Sequence, residues 1–311
     1  MAVASILKSR VEVDEWRNLV KARPRTLERR RRLANAAWLT AITGGFFLAV
    51  APLVSVLWTV VSAGLNRMDA EFFTSSMRGV IGAGGGALHA IMGTVQITLA
   101  SAAISVPVGI LAAVYLVEYG RGAFARTLTL LVDVMTGIPS IVAGLFAFAL
   151  FSLVFGPGMR AGIAGAIALS LLMTPVVIRS TEEMLRLVPV ELREAAQALG
   201  APKYRTITQV VLPTAASGIS AGVMLGISRI VGETAPLLLV AGFTDSMNYN
   251  MFSGRMASLP VFIYSQWQNK GIDAAAYDDR AWSAALTLIG FVFVLNLASR
   301  MTSHLLTRKS R

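Results

Sequence analysis

The chain of 311 residues contains no cysteine. Disulfides, thiolate nucleophiles, Cys-ligated zinc and iron–sulfur clusters are therefore excluded. Only two histidines occur, His89 and His304, too few for a His-rich metal site within the chain. Charge is scarce as well, with 14% of residues Asp, Glu, Lys or Arg, against about 25% in an ordinary soluble domain. A soluble fold of this length could not cover its surface with so few charges. No Gly-Lys pair exists, so the GxxxxGK[ST] loop that cradles nucleotide phosphates is missing. What the chain has instead is 55% hydrophobic residues and a mean hydropathy of +0.65. That composition is one of a polytopic membrane protein.

Six charge-poor stretches are long enough to be read as spans: 33–66, 90–117, 127–159, 161–178, 206–244 and 281–299. Crossing the hydrocarbon takes about 20 residues as a helix, so the pattern predicts an all-α fold of six transmembrane helices. The first stretch is too long, and its leader too extended, for a cleaved signal peptide. Asp133 interrupts the third stretch, and Arg229 and Glu233 interrupt the fifth.

The basic residues orient the spans. Arm 1–32, the link between spans two and three, the link between spans four and five, and the C-terminal tail hold 21 Lys and Arg, against 6 on the alternate side. The positive-inside rule puts both termini in the cytoplasm. The net charge of +11 is thus a topology signal, and nucleic acid is not needed to explain it. The run Arg23-Pro24-Arg25-Thr26-Leu27-Glu28-Arg29-Arg30-Arg31-Arg32 is expected to attract membrane lipid headgroups, at about 1 kcal/mol per basic residue. On the opposite side, the connector through residues 67–89 carries Gly82-Ala83-Gly84-Gly85-Gly86 and reads as flexible. Residues 245–280, with Tyr249, Tyr264, Trp267 and Tyr277, read as an interfacial loop with a short helix lying on the membrane. His89 falls at the outer edge of span two and reads as interfacial.

The cytoplasmic link between spans four and five has more order than a loop needs. Pro189 suits a helix start and Gly200 the residue just past a helix end. Between them Val190 to Leu199 are rich in helix formers. Pro202 blocks simple continuation, and Tyr204, Ile207 and Val211 then recur at helical spacing. The link is therefore helix, tight turn, helix. An ordinary helical hairpin would satisfy this spacing. A docking helix would also explain the small side chains of Ala195 and Ala196, which let a partner approach the backbone closely.

Glu194-Ala195-Ala196, then Gly200, then Val210-Val211-Leu212-Pro213 resembles the EAA motif of ABC-importer permeases, with Val210 in place of the usual Ile. Gly137-Ile138-Pro139-Ser140-Ile141-Val142-Ala143-Gly144-Leu145-Phe146, Arg179-Ser180-Thr181-Glu182-Glu183-Met184-Leu185 and Gly232-Glu233-Thr234-Ala235-Pro236-Leu237-Leu238 resemble phosphate-specific members of that family. The last run is similar to one of the two sister permeases rather than the other. The resemblance implies a type I importer permease (MetI-like) fold over a core at 90–300. Coupling helices at 188–205 would dock on ATPase subunits through Glu194, Ala195, Ala196, Gly200, Leu212 and Pro213. The implied partners are a homologous permease of the PstC type, two ATPases of the PstB type and an extracytoplasmic phosphate-binding protein of the PstS type. The implied chain has no cofactor of its own, with ATP and Mg bound by the ATPases, and it sits in the bacterial inner membrane with a basic tail at 301–311.

Arg229 lies near the middle of the fifth stretch, where a cation costs at least about 2.5–3.5 kcal/mol. Glu233 is four residues on, so it shares Arg229's helix face and can pair with it. A structural ion pair would account for both. The other reading is that Arg229 meets phosphate: guanidinium is planar, permanently charged and donates two parallel bonds to phosphate oxygens. Glu233 would temper that grip so that the anion can leave. The resemblance implies the same path role for Arg229 and Glu233. Other readings stay open on the residues alone. Sulfate or molybdate would need the same cation chemistry. An intramembrane enzyme would need a reactive constellation, and Asp133, Arg229 and Glu233 do not make one. A passive scaffold leaves Arg229 unexplained, and a secondary transporter would show paired broken helices in two halves.

Overall fold

The computed structural model describes residues 25–309, with side chains from 29 to 301. All regular structure among them is helical. Residues 1–24, most of the basic arm, and the last two residues of the tail lie outside the described part. The chain divides into two units, 1–59 and 60–311.

Helix α1 is Arg25–Gly64. It begins ahead of the predicted boundary at 33, so the basic run Arg29 to Arg32 is already helical and continuous with the span. In the first unit Trp38, Phe46, Phe47, Leu48 and Trp58 are exposed apolar side chains, as a surface bathed in lipid requires.

The second unit starts with the last turn of α1. Short helix α2 (Ala70–Thr74) follows, then α3 (Leu88–Val114). The connector between them is ordered, contrary to the flexible reading. Gly82 and Gly84, at φ +80° and +95°, adopt the left-handed backbone that favours glycine. This turns their carbonyls onto Arg280, whose Nη1 donates to Gly82 at 2.7 Å and Gly84 at 3.0 Å. Arg280 is 1% exposed and its Nε also donates to Gln266 at 2.9 Å. The sequence pattern hid this because the binding cation lies almost two hundred positions downstream.

Next come α4 (Gly122–Gly137) and α5 (Ser140–Phe155), the predicted third span. They meet at a bend of 108°. Pro139 drives Ile138 out of the helical region, to φ −70° and ψ 125°. Each arm has 16 residues, about 24 Å of helix, short of the roughly 30 Å hydrocarbon. The expected third span is thus a broken pair. Five other helices are long and apolar enough to cross a membrane among the described residues, or six spans if the bent pair counts as one.

Helices α6 (Gly162–Arg186), α7 (Val190–Ala198) and α8 (Lys203–Thr206) follow. A π-helical turn, Ile207–Val211, leads from α8 into α9 (Leu212–Val231), where Pro213 has no N–H to continue regular bonding. Helices α3, α6 and α9 form the centre. Gly218, Gly222 and Gly226 of α9, four residues apart, lie against Met184, Ser180 and Met173 of α6. Small residues at this spacing let helix backbones approach where no hydrophobic effect drives them together. Ile97, Leu169, Met173, Val177 and Ile230 fill the buried core.

Helix α10 (Ala235–Val240) is short, and α11 (Leu259–Gln268) precedes the long α12 (Ala274–Lys309). The expected short helix is present as α11, packed into the bundle on one side, with Tyr264 and Trp267 exposed on the other. Leu259, Val261 and Phe262 are buried, and the Leu259 N–H donates to Thr94 Oγ1 of α3 at 2.7 Å. His89 is likewise buried rather than interfacial, 4% exposed, with its ring 5.4 Å from that of Phe262. The bundle therefore has a loop end, carrying residues 65–87, 156–161 and 241–273, and a hairpin end, carrying 187–202.

Candidate functional site: a docking hairpin and a broken helix

At the hairpin end, α7 is closed by a Schellman turn. The Gly200 N–H donates to Gln197 O at 2.9 Å and the Ala201 N–H to Ala196 O at 3.1 Å. Gly200 sits at φ +81°, so the fixed glycine of the motif is a conformational requirement. Pro189 is the N-cap of α7 rather than its first helical residue, and Glu191 in the first turn complements the helix dipole.

The first half of the motif faces outward. Glu194 and Ala195 are exposed and Ala196 is half-buried. Leu187, Val190, Leu199 and Tyr204 surround them as exposed apolar side chains, Leu199 at 89%. The second half turns inward: Val211 is buried, Leu212 is half-buried against the same cluster, and Pro213 is exposed. The hairpin thus presents a small, partly apolar face while its far limb is rooted in the bundle.

Sequence reading missed the residues that fasten this hairpin. Arg193 donates from Nε and Nη2 to Glu118 Oε1 at 3.1 and 2.9 Å. It also donates to Leu185 O at 2.8 Å and Val188 O at 2.6 Å. Lys203 donates to the Glu118 carbonyl and lies 4.6 Å from the centre of the Tyr119 ring. One arginine therefore ties α7 to the π-helical turn that prolongs α3, Tyr115–Tyr119, and to the end of α6. The available signal was a solitary glutamate closing span two and an arginine adjoining Glu194.

A second ionic group lies nearby. Arg179 pairs with Asp133 of α4 and, at 2.9 Å, with Glu182, which also binds Arg186 at 2.6 Å. Asp133 is thus an ion-pair partner across helices as well as a solvated helix residue.

Towards the loop end, α9 stops at Val231, and Gly232, Glu233 and Thr234 form a non-helical connector before α10. The expected single helical face for Arg229 and Glu233 does not exist, because the break rotates Glu233 away from helical register. No ion pair joins them among the described residues. Arg229 lies in the last turn of α9 rather than mid-span; it is exposed, with Leu225 one turn below it, on the stripe of α9 left uncovered by the described residues of its own unit, and Glu233 is half-buried. The break also unites two of the singled-out runs. A Cβ on Gly144 of α5 would lie 2.7 Å from Pro236 Cα. An open apolar cleft of about 530 Å³ runs beside the break, lined by Thr234, Ala235 and Leu238 with Pro260, Ile263, Tyr264 and Trp267. No group of three metal-ligating side chains occurs among the described residues.

The model of the family described as "Binding-protein-dependent transport system inner membrane component" matches residues 105–311. The chain belongs to this family. It is 46% identical over 292 residues to the phosphate transport system permease protein PstA 1 of Mycobacterium tuberculosis, covering 93% of each chain. It is 45% identical over 288 residues to PstA of Mycobacterium leprae, covering 92% of this permease and 93% of that one. Against PstA of Pasteurella multocida it is 39% identical over 272 residues, covering 87% and 95%. Among solved structures, a chain of the inward-facing MetNI methionine ABC transporter matches with a TM-score of 0.56 at 21% identity, covering 70% of this permease and 95% of that chain. A chain of a bacterial alginate ABC transporter, in complex with an alginate-bound periplasmic protein, matches with a TM-score of 0.59 at 16% identity, covering 88% and 95%. These likenesses show that the fold is that of ABC-importer permeases.

Proposed function

We propose that the chain is the PstA-type permease subunit of an ATP-driven phosphate importer in a bacterial plasma membrane. The observation that carries this reading is identity with PstA proteins along nearly the full length of both chains. Its partners are a homologous PstC-like permease, two PstB-like ATPases and an extracytoplasmic PstS-like phosphate-binding protein. Both termini and the hairpin end are cytoplasmic, and the loop end faces the binding protein. ATP and Mg belong to the ATPases; the chain has no ATPase site and no cofactor of its own.

In this reading the exposed face of Glu194, Ala195 and Ala196 rests on an ATPase. Gly200 sets the turn, and Leu212 and Pro213 carry the motion into α9. Closure of the ATPases on ATP pulls the hairpin, and Arg193 passes that displacement to α3 and α6. Arg229 and Glu233 line the path together with the sister permease, which the uncovered stripe of α9 would meet. Guanidinium holds the oxyanion by paired charge-assisted bonds, and the nearby carboxylate keeps that hold reversible.

The test is ATP-driven uptake of radiolabelled phosphate by the reconstituted four-protein complex, with sulfate and molybdate as competitors, in wild type and Arg229→Gln. Saturable phosphate uptake that neither competitor reduces, and that disappears in an assembled Arg229→Gln complex, is the expected result. Uptake of sulfate or molybdate in preference to phosphate overturns the substrate. Uptake unchanged by the substitution removes Arg229 from the path.

A further inference from the structure

Among the described residues, Arg160 and Arg255 at the loop end converge on one another without a carboxylate. Arg160 lies in the turn between α5 and α6, and Arg255 in the loop before α11, yet their stems converge on one residue. A Cβ on Gly242 would meet Arg160 Cδ at 3.0 Å and Arg255 Cγ and Cδ at 3.2 and 3.4 Å. Gly242 holds φ +75°, so it supplies both the left-handed turn and the floor on which the stems rest. Among the described residues neither guanidinium makes an ion pair or a side-chain hydrogen bond.

Neither cation is needed to cap the end of α10. The Val240 carbonyl accepts from Ala161 N–H at 3.1 Å, and the Ala241 carbonyl from Met256 N–H at 3.0 Å. Asp245, three residues from Gly242, lines a different cavity with Met77, Gln266, Asn269 and Tyr277. Arg160 also lies two residues before α6, where a long helix presents its positive end. The shared floor brings two uncompensated cations, Arg160 half-buried and Arg255 exposed, to one patch of the loop end, where their fields add and attract an anion.

We propose that Arg160 and Arg255 form an outer oxyanion site for a phosphate group. This deepens the proposed function, on which it rests. The site would meet phosphate at the mouth of the path, ahead of Arg229. The same chemistry would accept the phosphate of a lipid headgroup, and the experiment separates the two sources.

The solubilised complex without its binding protein is equilibrated with radiolabelled inorganic phosphate in phospholipid-free detergent. In parallel, retained phosphatidylglycerol is counted by native mass spectrometry. The variants are Arg160→Gln, Arg255→Gln, the double substitution, and Arg160→Lys with Arg255→Lys. The expected result is phosphate binding weakened about 10- to 100-fold in the double Gln variant, the loss of a charge-assisted contact, with partial recovery in the double Lys variant. Fewer retained lipids with unchanged phosphate binding also supports the site and assigns it to headgroups. Unchanged phosphate and lipid binding overturns it. Wild-type uptake in proteoliposomes is measured alongside: absent uptake refutes the importer reading, whereas normal uptake with indifferent arginines refutes only this site.

Discussion

Arg193 and Glu118 meet at 2.9 Å with side chains 18% and 9% exposed, joining the hairpin to the end of a helix 75 positions earlier. Because the same guanidinium holds the carbonyls of Leu185 and Val188, α7 cannot shift without drawing on both α3 and α6. Breaking a largely buried pair by removing one partner costs about 3 kcal/mol or more. Glu118→Gln is expected to lower the melting temperature of the complex and to raise the ATP consumed per phosphate imported. Arg193→Ala should do more of both, since two carbonyls at the end of α6 also lose their donor. Wild-type melting and an unchanged ATP-to-phosphate ratio in both variants would remove this contact from the coupling route.

Gly144 and Pro236 make the tightest contact between the bent pair and the broken helix. An alanine at 144 would set its Cβ 2.7 Å from Pro236 Cα and 3.0 Å from its Cβ. Neither neighbour is the loose end of a flexible chain, so α5 must move off α10. Overpacking of this kind costs about 1–3 kcal/mol. Gly144→Ala is therefore expected to lower thermal stability in detergent, and Gly144→Val to lower it further with loss of uptake. Gly137→Ala, in the same run but with nothing within 4 Å, is the matched control and should melt as wild type does. Equal effects at the two positions would show that close packing at Gly144 is not what matters.

The helices were legible because apolar length alone reports a span, and the hairpin was legible because Pro189, Gly200 and Pro202 punctuate it. The breaks were less so. Pro139 and Pro236 announce weak points, but whether a proline tilts a helix or turns it by 108° depends on tertiary packing that no local pattern reports. Pairing across distance was hidden altogether. Arg280 with Gly82, Arg193 with Glu118 and Arg179 with Asp133 each join segments far apart in the chain, and no local spacing reports them. The expected Arg229–Glu233 pairing failed for the converse reason: four-residue spacing implies a shared face only while the helix continues, and it stops at Val231.

Gly200 tests the shape of the docking face apart from its chemistry. Nothing lies within 4 Å of a Cβ built there, so only the backbone angle of +81° opposes a side chain. Gly200→Ala should cost about 1 kcal/mol and Gly200→Val more, because a left-handed conformation strains any Cβ and a branched one most. Gly200→Asn should fall nearest wild type, since asparagine tolerates this conformation best. The expected readout is ATPase co-purifying with the permease in the order Gly, Asn, Ala, Val. Recovery independent of the residue would mean that the turn does not shape the docking surface.

Asp245 supplies a pH dependence of known sign. Its carboxyl has no ionic partner among the described residues, and desolvation in the cavity beside Gln266 and Asn269 pushes its pKa above the ordinary value of 3.8. For an acid raised in the folded state, the charged form is the one the fold disfavours. The penalty is absent below the unfolded pKa, grows as pH rises through the folded one, and is complete above it. Asp245→Asn removes the charge, so it should raise the melting temperature at neutral pH. The gain should shrink on acidification and vanish below about pH 3.8. Melting curves of the two proteins in detergent across pH 3 to 8 make the comparison over about five units. A gain that persists at the acid end would assign the effect to the amide's hydrogen bonds, and a loss at neutral pH would mean that the carboxylate holds a partner on another subunit.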